Sequence, residues 1–225
     1  MEKRTNGVSA IVVTHNSARI IGPCLACLRE SLDPRESEII VVDNASADGT
    51  RDIVLRSVPD GKVVFLPRNL GFAAGVNSGI ANSNGRYFLL VNPDLFLNPR
   101  CVEGMLRFLE EHEGAGAVGP RLVYPNGKRQ PSCRRYPTLR AIVASQFPWV
   151  TRFMWKGISA HYLMEDTELS GPTEVDWLMG ACILMKREAV GDVGALDDRF
   201  FLYREDTDWC FRARRKGWKI FYLPG

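Results

Sequence analysis

The sequence predicts an α/β domain with a mainly parallel central sheet, helices on both faces and a small antiparallel addition. Three observations carry this. Strand-like and helix-like segments alternate through the first half of the 225-residue chain. The strand-like segments are apolar throughout rather than at alternate positions, as in strands covered on both sides. Each is followed by a short polar or turn-forming cluster.

Val8–Thr14 (VSAIVVT) reads as the first buried strand. Ser17 is expected to cap a helix carrying Ile20, Ile21, Cys24, Leu25, Leu28 and Leu32 at helical spacing, with Pro23 disturbing its first turn. Glu38–Val42 is a second strand, and Thr50 is expected to cap a short helix to about Ser57. Val63–Leu66 and Tyr87–Val91 are the third and fourth strands, separated by a helix over Phe72–Asn82. A further helix runs from about Pro99 to Glu111. The pattern breaks after Val123. Residues 124–170 mix prolines and glycines with Lys128, Arg129, Arg134, Arg135, Arg140, Arg152 and Lys156, and with Tyr136, Phe147, Trp149, Phe153, Trp155 and Tyr162. That composition predicts a mobile, basic, partly helical insertion. Order returns with strand-like runs at Glu174–Leu178 and Cys182–Lys186, a short helix at Arg187–Val193, a helix over about Asp206–Lys216 and a strand at Trp218–Leu223. The whole chain is expected to form a single domain. It divides into a first half, 1–120, an insertion, 121–170, and a second half, 171–225, which the resemblance set out below makes the nucleotide-binding half and the acceptor and catalytic half.

Bulk properties narrow the function. Hydrophobic residues make up 45% and charged residues 24%, with a formal net charge of +3. That charge argues for no nucleic-acid partner. Met1–Gly7 has no signal-peptide character, so the six cysteines are expected as reduced thiols of a cytoplasmic protein. Cys24-x-x-Cys27 has no second CxxC to pair with and lies on the apolar face of a helix, so buried thiols are expected.

In open parallel sheets, ligands bind where the strands' C-terminal ends emerge. Thr14-His15-Asn16, Asp43-Asn44-Ala45-Ser46, Pro67-Arg68-Asn69 and Asn92-Pro93-Asp94 all fall there. Two readings fit Asp94, a ligand for a hard divalent cation or a turn and helix-capping residue. Two fit Asp43, a partner for ribose or base or an Asx turn. The glycines of Asn69–Gly79 (NLGFAAGVNSG) permit close approach of a phosphate or equally tight helix–sheet packing. Glu205, Asp206 and Asp208 open a helix, where the dipole favours acids. The apolar run before them shelters one carboxylate, which suits a general base.

Taken together, VSAIVVTHNS, IIVVDNASADGT, NLGFAAGVNSG, LLVNPD, DWLMGACILMKREA and FFLYREDTDWC resemble, in order, the motifs of family 2 glycosyltransferases, and most of all the rhamnosyltransferase-like subgroup. The resemblance spans essentially Val8–Leu223. It implies the GT-A fold, with its Rossmann-like sheet, and an inverting, non-processive, metal-dependent transfer. The sugar would pass from a nucleotide-diphosphate donor to an acceptor hydroxyl in cell-surface polysaccharide or glycolipid assembly. By resemblance, Thr14, His15, Asn16, Asp43, Asn44, Ser46, Arg68, Asn69, Gly71, Asn77 and Asn92 are expected to hold the nucleotide. Many relatives have Tyr in place of His15. Asp94 is the expected ligand of Mg²⁺ or Mn²⁺, in a D-x-D slot whose first Asp is here Asn92. Asp206 and Glu205 are the expected catalytic residues, with Asp206 as the base. Trp177 and Gly180 fall where relatives form the sugar or acceptor wall, although a core Trp fits as well. The donor is expected to be dTDP- or UDP-linked, with rhamnose as the sugar by resemblance alone.

Relatives usually carry a metal-binding His just after the last strand, and the chain ends before it, so a C-terminally truncated domain is expected. Arg215-Lys216-Gly217-Trp218 is not the Gln-x-x-Arg-Trp of processive synthases. The basic, aromatic segment Arg121–Tyr162 is either a contact for an anionic, lipid-linked acceptor or the inner face of the membrane, or a solvated loop. A sugar-nucleotide pyrophosphorylase would need a Gly-rich, Arg-containing loop after the first strand, and Thr14-His15-Asn16-Ser17 is not one. A non-catalytic nucleotide-sugar-binding protein would not need Glu205-Asp206.

Overall fold

The computed structural model describes residues 7–137, 157 and 159–224. β1 (Val8–Thr14), α1 (Ile21–Glu30), β2 (Glu38–Asp43), α2 (Thr50–Ser57), β3 (Lys62–Phe65), α3 (Phe72–Ala81), β4 (Tyr87–Val91) and α4 (Pro99–Glu111) follow the expected alternation. Then come β5 (Ala115–Pro120), β6 (Leu122–Val123), β7 (Arg129–Gln130), β8 (Cys133–Arg134), β9 (Thr173–Glu174), β10 (Trp177–Leu178), β11 (Cys182–Lys186), α5 (Arg187–Val193), α6 (Glu205–Arg215) and β12 (Lys219–Leu223).

Eight strands form one sheet in the order β3-β2-β1-β4-β11-β5-β12-β9. β1, β2, β3 and β4 pair in parallel, as do β5 and β12. β11 runs antiparallel between β4 and β5. The chain steps outward from β1 to β3 and then returns to β4 on the other side of β1. This places a topological switch point between β1 and β4, where ligands of open α/β sheets bind. Because β11 is reversed, its N-terminal end and the preceding Gly180-Ala181 reach the same edge as the C-terminal ends of β1, β2 and β4.

The sheet's alternation sorts the core into two layers. Ala10 and Val12 of β1 pack with Ile21, Leu25 and Leu28 of α1 and with Val102 and Met105 of α4. Ile11 and Val13 face the other way, into a cluster with Ala73 and Val76 of α3 and Trp209 of α6. The α3 glycines serve this second layer. A Cβ on Gly75 would meet a Val13 methyl at 2.6 Å, and one on Gly79 an Ile11 methyl at 2.4 Å. Tight helix–sheet packing therefore accounts for both.

Several local expectations are corrected. α1 starts at Ile21 rather than after a Ser17 cap. The Ser17 carbonyl instead accepts from the Ile20 and Ile21 amides, both at 3.0 Å, closing a turn before the helix. Thr50 is the first residue of α2 and not its cap. Its hydroxyl accepts from the Ser17 amide at 2.7 Å, tying the β1 loop to the β2 loop. Glu174–Leu178 is not one strand. β9 joins the main sheet on β12, while β10 pairs with β8. β5 was not expected at all. Within the basic segment, β6 and β7 form an antiparallel ladder and β8 pairs with β10. The expectations for Arg140, Phe147, Trp149, Arg152, Phe153, Trp155 and Lys156 lie outside the described residues.

Candidate active site

The β1 and β2 loops are held in one shape by their own polar groups. The Asn44 amide nitrogen donates to the Thr14 carbonyl at 2.8 Å, extending the β1–β2 ladder past its end. His15 Nδ1 lies 2.8 Å from the Asn44 carbonyl. A carbonyl only accepts, so Nδ1 carries the proton. Asn16 Oδ1 accepts from the Ala47 amide at 2.8 Å, which turns its Nδ2 toward His15 Nε2 at 3.2 Å. The Asn16 amide donates to Ser46 Oγ at 2.9 Å. Asn16 and Ala45 have φ of 50° and 60°, a costly region for residues with a side chain. Asp43 is buried, with long contacts of 3.3 and 3.4 Å from the Ser46 amide as its only side-chain hydrogen bonds among the described residues. Both readings of Asp43 are compatible with this, since an Asx-type contact leaves the carboxylate with acceptor capacity. Thr14 Oγ1 is buried and has no partner among the described residues.

Two residues expected to touch nucleotide are struts. Asn44 is buried, donating from Nδ2 to the Gly71 carbonyl at 3.0 Å and accepting at Oδ1 from the Leu70 amide at 2.8 Å. Asn77 pairs both ends of its amide with the backbone of Leu196, at 2.8 and 3.0 Å. Each side chain thereby fixes a loop, while its amide keeps a second N–H and a second lone pair. Asn69 Oδ1 likewise accepts from the Gly71 amide at 3.0 Å. Arg68 is exposed at the same edge.

The loop that Asn44 holds meets the catalytic half. Gly71 has φ of 90°, and a Cβ there would fall 2.4 Å from the Phe201 carbonyl oxygen. The next amide, Phe72, donates to that oxygen at 2.8 Å. Sequence reasoning missed Phe201, because a backbone acceptor leaves no trace in residue type.

At the end of β4 the Asn92 amide donates to the Ala181 carbonyl at 2.9 Å, tying the Asn92-Pro93-Asp94 turn to the β10–β11 connection. Asp94 is exposed, and its carboxylate has no hydrogen bond or ion pair among the described residues. Neither a turn nor a cap consumes it. A free carboxylate with a neighbouring amide oxygen suits a hard cation that draws its remaining ligands from phosphate and water. No group of three or more acidic, Cys or His side chains able to hold a metal exists among the described residues.

Gly180 and Asp206 meet directly, the Gly180 amide donating to Asp206 Oδ2 at 2.9 Å. Asp206 Oδ1 accepts from the Thr207 amide at 2.6 Å and from its hydroxyl at 3.2 Å. The carboxylate is thus fixed but partly exposed. Tyr203 and Arg204, with φ of 67° and 79°, turn the chain sharply into α6 just before it. Glu205 points inward. It is 3% exposed, and its Oε2 has no partner among the described residues. Burial, helped by the Asp206 charge, raises its pKa above the usual carboxyl value. Trp177 does not form an open sugar wall. It is 5% exposed, donates from Nε1 to the Arg135 carbonyl at 3.2 Å, and lies 5.1 Å beneath the Arg134 guanidinium. The core reading of this Trp stands.

One sheet edge therefore gathers the β1 and β2 loops, the Asn44-held loop, Asp94 and the fixed Asp206. The Glycosyl transferase family 2 model matches residues 9–194. N-acetylglucosaminyl-diphospho-decaprenol L-rhamnosyltransferase of Mycobacterium tuberculosis is 29% identical, over 98% of this chain and 74% of the relative. Rhamnosyltransferase WbbL of Escherichia coli is 25% identical over 96% of this chain and 80% of the relative. Among solved structures, S. aureus TarS 1-349 in complex with UDP superposes with a TM-score of 0.68 at 20% identity, over 96% of this chain. The mannosyltransferase PcManGT of Pyrobaculum calidifontis, in complex with GDP-Man and Mn²⁺, gives 0.66 at 19% identity, over 99% of this chain. The chain spans 57% and 56% of those two structures, which establish the shared GT-A fold. The chain belongs to glycosyl transferase family 2.

Proposed function

We propose that this domain transfers a sugar from a nucleotide-diphosphate donor to a hydroxyl of a lipid-linked glycan acceptor, with inversion and one sugar at a time. The observation that carries the reading is the Asp206 carboxylate, oriented by the Gly180 amide at 2.9 Å on the sheet edge that also bears Asp94. A general base must be held in place and still reach its proton. The Gly180 and Thr207 contacts hold it, and its partial exposure leaves it accessible. Asp206 takes the acceptor proton as that oxygen attacks the anomeric carbon from the face opposite the leaving diphosphate. Asp43 and the His15–Asn16 loop receive the nucleoside, with Arg68 near the diphosphate. Asp94, with Asn92, would hold Mg²⁺ or Mn²⁺, which supplies charge neutralisation for the departing diphosphate.

The names of the two rhamnosyltransferase relatives support rhamnose as the transferred sugar, and a dTDP- or UDP-linked donor is proposed with it. The acceptor named for the mycobacterial relative supports a polyprenyl-diphosphate-linked sugar as acceptor. The basic segment around Arg121–Arg135 suits peripheral contact with the anionic inner face of a membrane. No helix among the described residues is long and apolar enough to cross one.

Thermal melts with UDP, dTDP, GDP, ADP and CMP, each with and without Mn²⁺, test the reading. A ligand that binds only the folded chain raises the melting temperature by mass action. A manganese-dependent rise with one nucleoside diphosphate, dTDP or UDP, is expected. No rise with any of them would sink the donor assignment.

A further inference from the structure

Asn92, Pro93, Asp94 and Leu95 form a closed turn, the Leu95 amide donating to the Asn92 carbonyl at 3.2 Å. Pro93 takes the second position, where its fixed φ suits a turn. Asp94 takes the third. Among the described residues no side-chain contact aims its carboxylate. The direction of that carboxylate therefore follows from how the turn itself is held.

Two contacts hold the turn. The Asn92 amide donates to the Ala181 carbonyl at 2.9 Å, on the β11 side. The Asn92 carbonyl, which already closes the turn, also accepts from the Cys24 thiol at 3.5 Å. Cys24 comes from the first turn of α1, which starts at this edge because it follows the end of β1. Pro23 sits just before it, at a helix position whose amide would have no intrahelical acceptor, so the proline breaks no bond there. Cys24 is 1% exposed and belongs to the apolar layer that also holds Val91, Leu97 and Cys182. A thiol combines an apolar body with a weak S–H donor, so it packs in this layer and still bonds one carbonyl.

We infer that Cys24 is a positioning residue for Asp94. Its bond to the Asn92 carbonyl fixes the turn, and with it the direction in which the Asp94 carboxylate meets a divalent cation. The inference rests on the cation role proposed for Asp94 and adds a residue of α1 that does not touch the cation. It also gives the Cys24-x-x-Cys27 pair a use that is neither redox nor zinc chemistry.

The test compares Cys24→Ala with Cys24→Ser in the full chain. Both lose the bulk of the sulfur, and only Cys24→Ser keeps a donor. Titration calorimetry with Mn²⁺ in the presence of dTDP reads the cation. Hydrogen exchange of the Leu95 amide, followed without metal or nucleotide, reads the turn. Cys24→Ala is expected to weaken Mn²⁺ binding about 5- to 10-fold and to speed Leu95 exchange several-fold, as for loss of one hydrogen bond that orients a ligand. Cys24→Ser is expected to bring Mn²⁺ affinity back to within about 2-fold of the parent. Affinity for dTDP without metal should be the same in all three proteins. Leu28→Val, one helical turn further along α1 in the same layer, controls for packing. It should lower the melting temperature and leave Mn²⁺ affinity alone. If the sulfur served packing only, Cys24→Ser would be no better than Cys24→Ala, since a buried hydroxyl restores nothing apolar. A Cys24→Ala protein with the parent's Mn²⁺ affinity, or a Cys24→Ser protein as weak as Cys24→Ala, would overturn the positioning role and leave the transferase reading standing. A parent that binds no Mn²⁺ with either dTDP or UDP would overturn the cation reading and the inference with it.

Discussion

Gly71 and Phe201 touch backbone to backbone, so closely that a single added carbon on Gly71 would sit 2.4 Å from the Phe201 carbonyl oxygen. The contact joins the Asn44-held loop of the nucleotide half to the segment that delivers Asp206. Asn44 makes it rigid by bonding both Leu70 and Gly71.

Gly71→Ala should therefore cost stability and catalysis together. The φ of 90° and the clash each oppose a Cβ. The expected loss is about 2–4 kcal/mol, with a transfer rate lower by at least ~10-fold. Gly104, whose added Cβ would meet nothing within 4 Å, provides the control, and Gly104→Ala should leave stability unchanged or raise it. Chemical denaturation and a transfer assay read both effects. A Gly71→Ala protein as stable and active as its parent would show that the two loops move independently.

Glu205 makes a pH-dependent prediction. Its folded-state pKa lies above the unfolded value because burial disfavours the charge. A group raised in this way leaves stability intact below its unfolded pKa and drains it as the pH climbs through the folded one. Replacing it by neutral Gln should leave the melting temperature alone near pH 4 and raise it progressively above that. At pH 8 the variant is expected to melt above its parent. Calorimetry across that range would contradict the assignment if Glu205→Gln were destabilised most at high pH.

Asp94 is the free carboxylate at the end of β4, so its removal should be felt through the cation. Asp94→Ala is expected to lose most of the manganese-dependent part of the nucleotide melting shift and to keep the metal-free part. Affinity for Mn²⁺ in the presence of nucleoside diphosphate should fall about 10- to 100-fold, as for loss of one of few protein ligands. Titration calorimetry with Mn²⁺ and dTDP measures it. An unchanged manganese affinity would move the cation elsewhere.

The sheet's first four strands were legible because VSAIVVT, EIIVV, VVF and YFLLV are apolar at nearly every position, the mark of strands buried on both faces, although β3 lies at the sheet edge and is only half-buried. β5 was not legible because AGAVGP carries almost no β-branched signal. Its small residues answer to packing, since a Cβ on Gly119 would meet Leu178 at 3.0 Å and one on Gly116 would meet Trp218 at 3.0 Å. In the site, the placement of Asp94 after a strand end and of Asp206 at a helix start was readable. That Asn44 and Asn77 brace backbone was not legible, because a polar residue in a ligand-rich loop looks the same whether it binds substrate or backbone. Trp177 was left open for a related reason, as sequence does not say which ring face another element covers. Contacts made by carbonyls, such as that of Phe201, are invisible to residue type at any separation.

The base assignment is open to one direct test. Asp206→Asn keeps the side chain's shape and an oxygen able to accept from the Gly180 amide, but removes the group that takes a proton. Transfer from a dTDP- or UDP-sugar to the diphosphate-linked acceptor should fall about 10²- to 10⁴-fold, while the nucleotide-induced melting shift stays as in the parent. An Asp206→Asn protein that transfers sugar at the parent's rate would contradict the account.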